Sequence, residues 1–130
     1  MTRLALLLCA LSLSSAAGAE PLTIRVGESW IFSIKNGQPT GARKVAATAK
    51  PATGQVLATV RAFLGTSLTV TNNSPVRYTF KAQLLRGGKA AAARACTLPG
   101  GARPIFEQWE QRADEVRIGD FRTAGTEGRC

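Results

Sequence analysis

A chain of 130 residues carrying 17 Lys and Arg against 8 Asp and Glu, a formal charge of +9, has room for one hydrophobic core. It contains no histidine, which removes the commonest general base, the commonest metal ligand and the near-neutral pH switch. No nucleophile elbow, P-loop or dinucleotide fingerprint occurs.

The first element is a targeting signal. Arg3 supplies a positive start, Leu4 to Leu13 form an apolar run, and Ala17-Gly18-Ala19 is an A-x-A cleavage site. Ten apolar-rich residues are about half of the ~20 needed to cross a bilayer as a helix. A buried N-terminal helix of the mature fold is the alternative. Cys9 lies within the run behind Leu8, which is not lipobox order. Residues 1–19 are therefore predicted to be a cleavable signal peptide, and 20–130 a single domain exported to the periplasm or beyond, with no membrane span. That domain holds 16 Lys and Arg against 8 acids, a charge of +8.

From there the dominant period is two. Leu22–Val26, Trp30–Ile34 and Val76–Leu84 alternate apolar and polar residues, as half-buried strands do. In the last of these Arg77, Thr79, Lys81 and Gln83 face one way, and Val76, Tyr78, Phe80, Ala82 and Leu84 the other. Val45–Ala49, Val56–Phe63, Ser67–Thr71, Ala91–Cys96 and Val116–Arg122 are further strand candidates, rich in types that suit a pleated surface. Turn chemistry separates them at Asn36-Gly37, Pro51–Gly54, Asn72–Pro75, Gly87-Gly88 and Pro99–Gly101. The pattern predicts an all-β fold, an antiparallel β-sandwich of about seven or eight strands. The expected core is Ile24, Trp30, Phe32, Val60, Leu68, Val70, Tyr78, Phe80 and Phe121.

Residues 105–116 admit two readings. Phe106, Trp109, Ala113 and Val116 recur at helical spacing, with Pro104 suited to a first turn. Alternatively Ile105–Trp109 and Val116–Phe121 are strands joined by Gln111–Glu115. The strand reading is adopted, with one short helix as the alternative.

Two cysteines survive signal cleavage, Cys96 and Cys130. An even count in an oxidising compartment predicts a Cys96–Cys130 disulfide closing a loop of 35 residues, worth roughly 3–4 kcal/mol on the chain-entropy model. An intermolecular bond through the terminal cysteine, or two free thiols, are the alternatives. The absence of C-x-x-C spacing argues against a redox pair.

Catalytic chemistry has one opening. Glu107, Glu110, Asp114, Glu115 and Asp120 crowd the C-terminal third, and two carboxylates at the right separation serve glycoside hydrolysis. Nothing in the spacing selects a pair, and Arg103, Arg112, Arg117 and Arg122 balance them. The sequence predicts no enzyme, no metal site and no cofactor.

Charge is the informative functional feature. Residues 20–100 carry 11 Lys and Arg against Glu20 and Glu28, whereas residues 101–130 carry 5 against 6 acids. Arg77 and Lys81 are expected on the outward face of one strand, with Arg86 and Lys89 in the adjoining turn; together these form the predicted basic face, to which Arg43, Lys44, Lys50 and Arg61 can add from positions the sequence leaves open. Such a surface attracts anionic polymers, lipid head groups or an acidic protein, in a salt-dependent way. Export makes nucleic acid a poor partner. The first expectation is a non-catalytic envelope protein that binds an anionic envelope component or an envelope protein. The second is an inhibitor or accessory factor docking onto a cell-wall-active enzyme through the turns Asn72–Pro75 and Pro99–Gly101.

Gly65–Asn73 leading into Tyr78, Cys96-Thr97-Leu98-Pro99-Gly100, Phe106-Glu107-Gln108-Trp109 and Ile118–Arg122 together resemble small, uncharacterised exported proteins of proteobacteria. The resemblance spans roughly residues 60–122. It implies export and a compact, mostly-β domain with no assigned activity. That family often has proline just after the tryptophan, where Glu110 stands in this chain.

Overall fold

Residues 20–125 are described, in a computed structural model. The expected signal peptide and Cys130, and with Cys130 the expected bridge, lie outside the described residues. Nine strands form in chain order: β1 (Leu22–Arg25), β2 (Ser29–Lys35), β3 (Gln38–Val45), β4 (Gln55–Arg61), β5 (Thr66–Asn73), β6 (Tyr78–Arg86), β7 (Lys89–Ala93), β8 (Pro104–Trp109) and β9 (Glu115–Thr123). They make two antiparallel sheets, ordered β1-β9-β6-β7 and β3-β2-β4-β5-β8, packed face to face as a β-sandwich. Among the described residues no helix is long and apolar enough to cross a membrane.

The alternation read from β6 holds, since Phe80, Ala82 and Leu84 are buried while Thr79 and Lys81 are exposed. Turn chemistry holds too. Asn36-Gly37 and Gly87-Gly88 all have positive φ (52°, 78°, 57° and 78°), the two-residue hairpin geometry that matches strand twist.

Several boundaries are corrected, that of β6 among them, which runs from Tyr78 to Arg86 rather than from Val76 to Leu84 and so takes Arg86 out of the turn. Val45–Ala49 is not a strand, because β3 ends at Val45 and Ala46–Ala49 is a turn closed by the Ala49 N–H to the Ala46 carbonyl. β3 itself leaves no period-two signal. It is an edge strand on which only Pro39 is buried, interrupted where Gly41 takes φ 59° and the register against β2 shifts. β7 begins at Lys89 rather than Ala91, since the tight turn pairs Arg86 with Lys89, and it ends at Ala93. Phe63 lies beyond the end of β4.

Residues 105–116 form no helix. β8 pairs with β5 through six residues, so Phe106 and Trp109, separated by an odd number, point to opposite faces. Trp109 is buried, whereas Phe106 is 55 % exposed. The helical spacing arose because a solvent-facing phenylalanine fell in phase with two core residues.

The core lies between the sheets and is organised around Phe121, which packs against Phe32, Tyr78 and Phe80 with centroids 5.3–6.0 Å apart. Asp120 directs that side chain inward. It adopts φ 52° as the extra residue of a bulge, so that Asp120 and Phe121 together oppose Phe80. Without the bulge, Phe121 would fall on the outer face with Arg117 and Gly119. Of the expected core residues, Trp30 and Tyr78 are half-buried against the cluster and the rest are buried.

Candidate functional site

The strand directions divide the connections between two ends of the sandwich. One end, the tip end, gathers the 26–28, 62–65, 87–88 and 110–114 connections. The opposite, turn end gathers 36–37, 74–77 and 94–103, together with the last residues of the 46–54 connection. The four residues of the predicted basic face are split by this geometry. Arg77 precedes β6 and Arg86 closes it, so about 30 Å of extended chain separates them. Lys81 lies between them on the outer face, bridged to Asp120 at 3.1 Å. Arg86 and Lys89 face each other across the Gly87-Gly88 turn at the tip end. Only these last two remain together.

Folding brings them other company. Arg25 ends β1, Arg61 ends β4 and Arg112 lies in the 110–114 connection, all three exposed at the tip end. Arg25, Arg86 and Arg112 line a cleft of about 900 Å³ together with Ala62, Gly65, Asp114 and Glu115. Asp114 is engaged below, accepting the Gly87 N–H at 3.0 Å. The three ion pairs among the described residues use Lys44, Lys81 and Arg122. None uses Arg25, Arg61, Arg86, Lys89 or Arg112. The members of this grouping come from separate strands and loops and meet only when the sandwich closes, which gives Arg61 the place that the sequence left open.

Two other hollows are less open to an anion or smaller. On the outer face of the four-stranded sheet, Lys81, Gln83, Arg117, Gly119 and Asp120 border a cavity of about 410 Å³. Its cations are occupied, Lys81 by Asp120 and Arg117 by hydrogen bonds to Thr23 and Gln83. The Lys81 ammonium, with the Arg122 guanidinium beside it, holds the Asp120 carboxyl below its ordinary value. At the turn end, Arg77 and Arg103 border a hollow of about 450 Å³ with Pro75, Pro99 and Gly100.

The turn end also joins the two predicted docking turns. The buried Asn72 amide donates to the Val76 carbonyl at 2.6 Å and to the Pro99 carbonyl at 3.3 Å. The Gly101 N–H reaches the Ser74 carbonyl at 2.9 Å. Gly100 is packed so closely that a Cβ there would lie 2.6 Å from the Ser74 oxygen.

The carboxylates considered for hydrolysis are dispersed. Glu107 points into the sandwich, where it accepts the Cys96 N–H at 2.5 Å. Asp120 lies on the outer face of the other sheet, and Asp114 and Glu115 line the tip-end cleft. Among the described residues no group of three potential metal ligands occurs.

Fold and surface define a β-sandwich with unbridged cations at both ends, five of them at the tip end, and with locked turns at the turn end. No family model, curated protein or solved structure matches the chain.

Proposed function

We propose that this is an exported, non-catalytic binding protein that engages an anionic envelope surface through the tip end of its sandwich. The observation that carries the reading is the gathering of Arg25, Arg61, Arg86, Lys89 and Arg112, exposed and unbridged, at one end. Four acids, Glu28, Glu110, Asp114 and Glu115, share that end, and Glu28 is bridged to Lys44, so the five unbridged cations remain in excess and their long stems reach outward. Export rests on residues 1–19 and on the family resemblance. In that setting Cys96 and Cys130 form a bridge that ties the C-terminus to the 94–103 connection.

Retention on dextran sulfate at rising salt tests the assignment. R86E/R112E elutes well below the salt needed for wild type, whereas R77E/R103E stays near it. The opposite order overturns the tip-end reading.

One observation favours a second reading, an accessory factor that docks onto an envelope enzyme. The turns at 72–76 and 99–101 are cross-bonded into a single rigid surface with an arginine on each side. A stoichiometric complex that survives high salt and is lost in R77E/R103E supports it.

A further inference from the structure

Three large apolar side chains are strongly exposed among the described residues, and all three belong to one place: Phe63 at 53 %, Leu64 at 75 % and Phe106 at 55 %. Phe63 and Leu64 form the tip of the hairpin between β4 and β5, and Phe106 projects from the outer face of β8. The two rings meet edge to face, with centroids 6.3 Å apart at 72°.

The tip violates two local rules at once. Leu64 has φ 46°, a left-handed conformation that glycine or asparagine adopts at lower cost. Its side chain is nevertheless a large aliphatic one directed into solvent. The loop is held in this form from below. Gln108 donates to the Phe63 and Leu64 carbonyls at 3.5 and 3.4 Å. Gly65, at φ 110°, is pressed against the Trp109 and Glu110 carbonyls, leaving no room for a side chain. An outlier held by its surroundings is where a functional constraint is to be sought.

The neighbours specify the occupant. Ala62 and Gly65, on either side of the two apolar residues, line the same cleft as Arg25, Arg86 and Arg112, and Arg61 immediately precedes the loop. An apolar tip collared by unbridged arginines matches an interface with phosphate outside and hydrocarbon beneath. Polybasic attraction brings a protein to such a surface, and a small inserted apolar group keeps it there.

We propose that the Phe63–Leu64 tip inserts into the headgroup layer of an anionic lipid bilayer, with Arg25, Arg61, Arg86 and Arg112 on the lipid phosphates. The proposal rests on the anionic-surface reading and deepens it by naming lipid as the partner. It assigns the apolar residues the work of distinguishing a bilayer from any other polyanion.

The test sediments the purified protein with vesicles of equimolar phosphatidylglycerol and phosphatidylcholine, and with phosphatidylcholine alone. Binding to the anionic vesicles only is expected. F63S/L64S weakens it about tenfold or more, while elution from dextran sulfate stays unchanged. An F63W variant gains, over wild type, fluorescence quenched by brominated acyl chains. Wild-type-like vesicle binding by a folded F63S/L64S, or an F63W signal that bromolipid leaves untouched, overturns insertion and leaves the anionic-surface reading intact. Retention on dextran sulfate without vesicle binding does the same. A wild-type dimer that F63S/L64S converts to monomer, without vesicle binding, makes the tip a contact between copies and overturns the proposal. Failure on both vesicles and dextran sulfate overturns the anionic-surface reading as well.

Discussion

At the turn end of the sandwich a buried asparagine, Asn72, ties the 74–77 connection to 94–103. At the tip end a buried threonine, Thr66, does the equivalent for 110–114, donating to the Gln111 carbonyl at 2.8 Å and accepting the Ala113 N–H at 2.9 Å. Beneath the surface the two ends follow one rule, a polar side chain satisfying connections that no ladder serves. Above it they differ. The turn end spends its backbone groups on itself and presents proline and glycine, with Lys35, Lys50, Arg77 and Arg103 around them but, among the described residues, no exposed apolar side chain of the kind at the tip. The tip end adds to its braced base a left-handed leucine, an exposed phenylalanine and five unbridged cations. Such features do little for folding, which is why the tip end is read as the working surface and the turn end as a clasp.

The largest expected effect tests the clasp. Replacing Asn72 with Asp keeps its shape but removes the amide donor and sets a carboxylate against two carbonyl oxygens in a fully buried site. A charge buried among acceptors is strongly disfavoured, and the two carbonyls lose a partner together. N72D is expected to cost about 3 kcal/mol or more. For a domain of this size that lowers Tm by roughly 12 °C or more, readable by circular dichroism. A change of a degree or two would show that the turns hold their positions without Asn72 and that the ends do not differ in the way described.

The next effect has the opposite sign and sharpens the contrast. Leu64→Gly relieves a left-handed residue without removing a core contact, and is expected to stabilise the fold by up to about 1 kcal/mol in urea unfolding. Higher stability with unchanged spectra would mark Leu64 as a residue kept against the preference of its own backbone. Measurable destabilisation would instead make it a packing residue, and the tip end would lose its claim to be a working surface.

What was legible in the sequence divides along similar lines. β6 could be read outright, because one of its faces meets the core and the other meets water. The hairpin turns at Asn36-Gly37 and Gly87-Gly88 were legible because positive φ selects those residue types. β3 was hidden because an edge strand with one buried side chain has no apolar rhythm to show. Phe106 misled because exposure is not written in a residue's type; its partner, Phe63, comes from a loop more than forty positions away. The site was harder still. Arg77, Lys81 and Arg86 look adjacent as text, yet they fall just before, midway along and at the end of one extended strand that spans the molecule. Arg25, Arg61 and Arg112 are far apart as text and share an end only because β1, β4 and the 110–114 connection finish there. Chain order reveals neighbours along a strand, whereas a site at the end of a sandwich is composed across strands.

The smallest expected effect concerns acid. At the tip end Glu28 accepts the Arg25 backbone N–H at 3.1 Å, the Trp30 indole at 3.2 Å and the Lys44 ammonium at 3.3 Å. The Arg25 hydrogen bond foremost, with Trp30 and Lys44 assisting against partial desolvation, holds its carboxyl below the ordinary value of 4.5. Asp120, on the outer face of the four-stranded sheet, is likewise held below 3.8 by Lys81 and Arg122. The unfolded chain therefore takes up these protons before the folded one does. Their stabilisation is fully present above the ordinary carboxylate values and is lost as pH falls through the lower, folded ones. Tm should be level from neutral pH to about 5 and decline below about 4.5. E28Q should cost under about 1 kcal/mol at neutral pH and flatten part of that decline. If E28Q leaves the acid limb as steep as wild type, the Glu28 cluster contributes nothing to it. The acid sensitivity would then belong to Asp120, away from both ends, and the tip end would be distinguished by its exposed tip and cations alone.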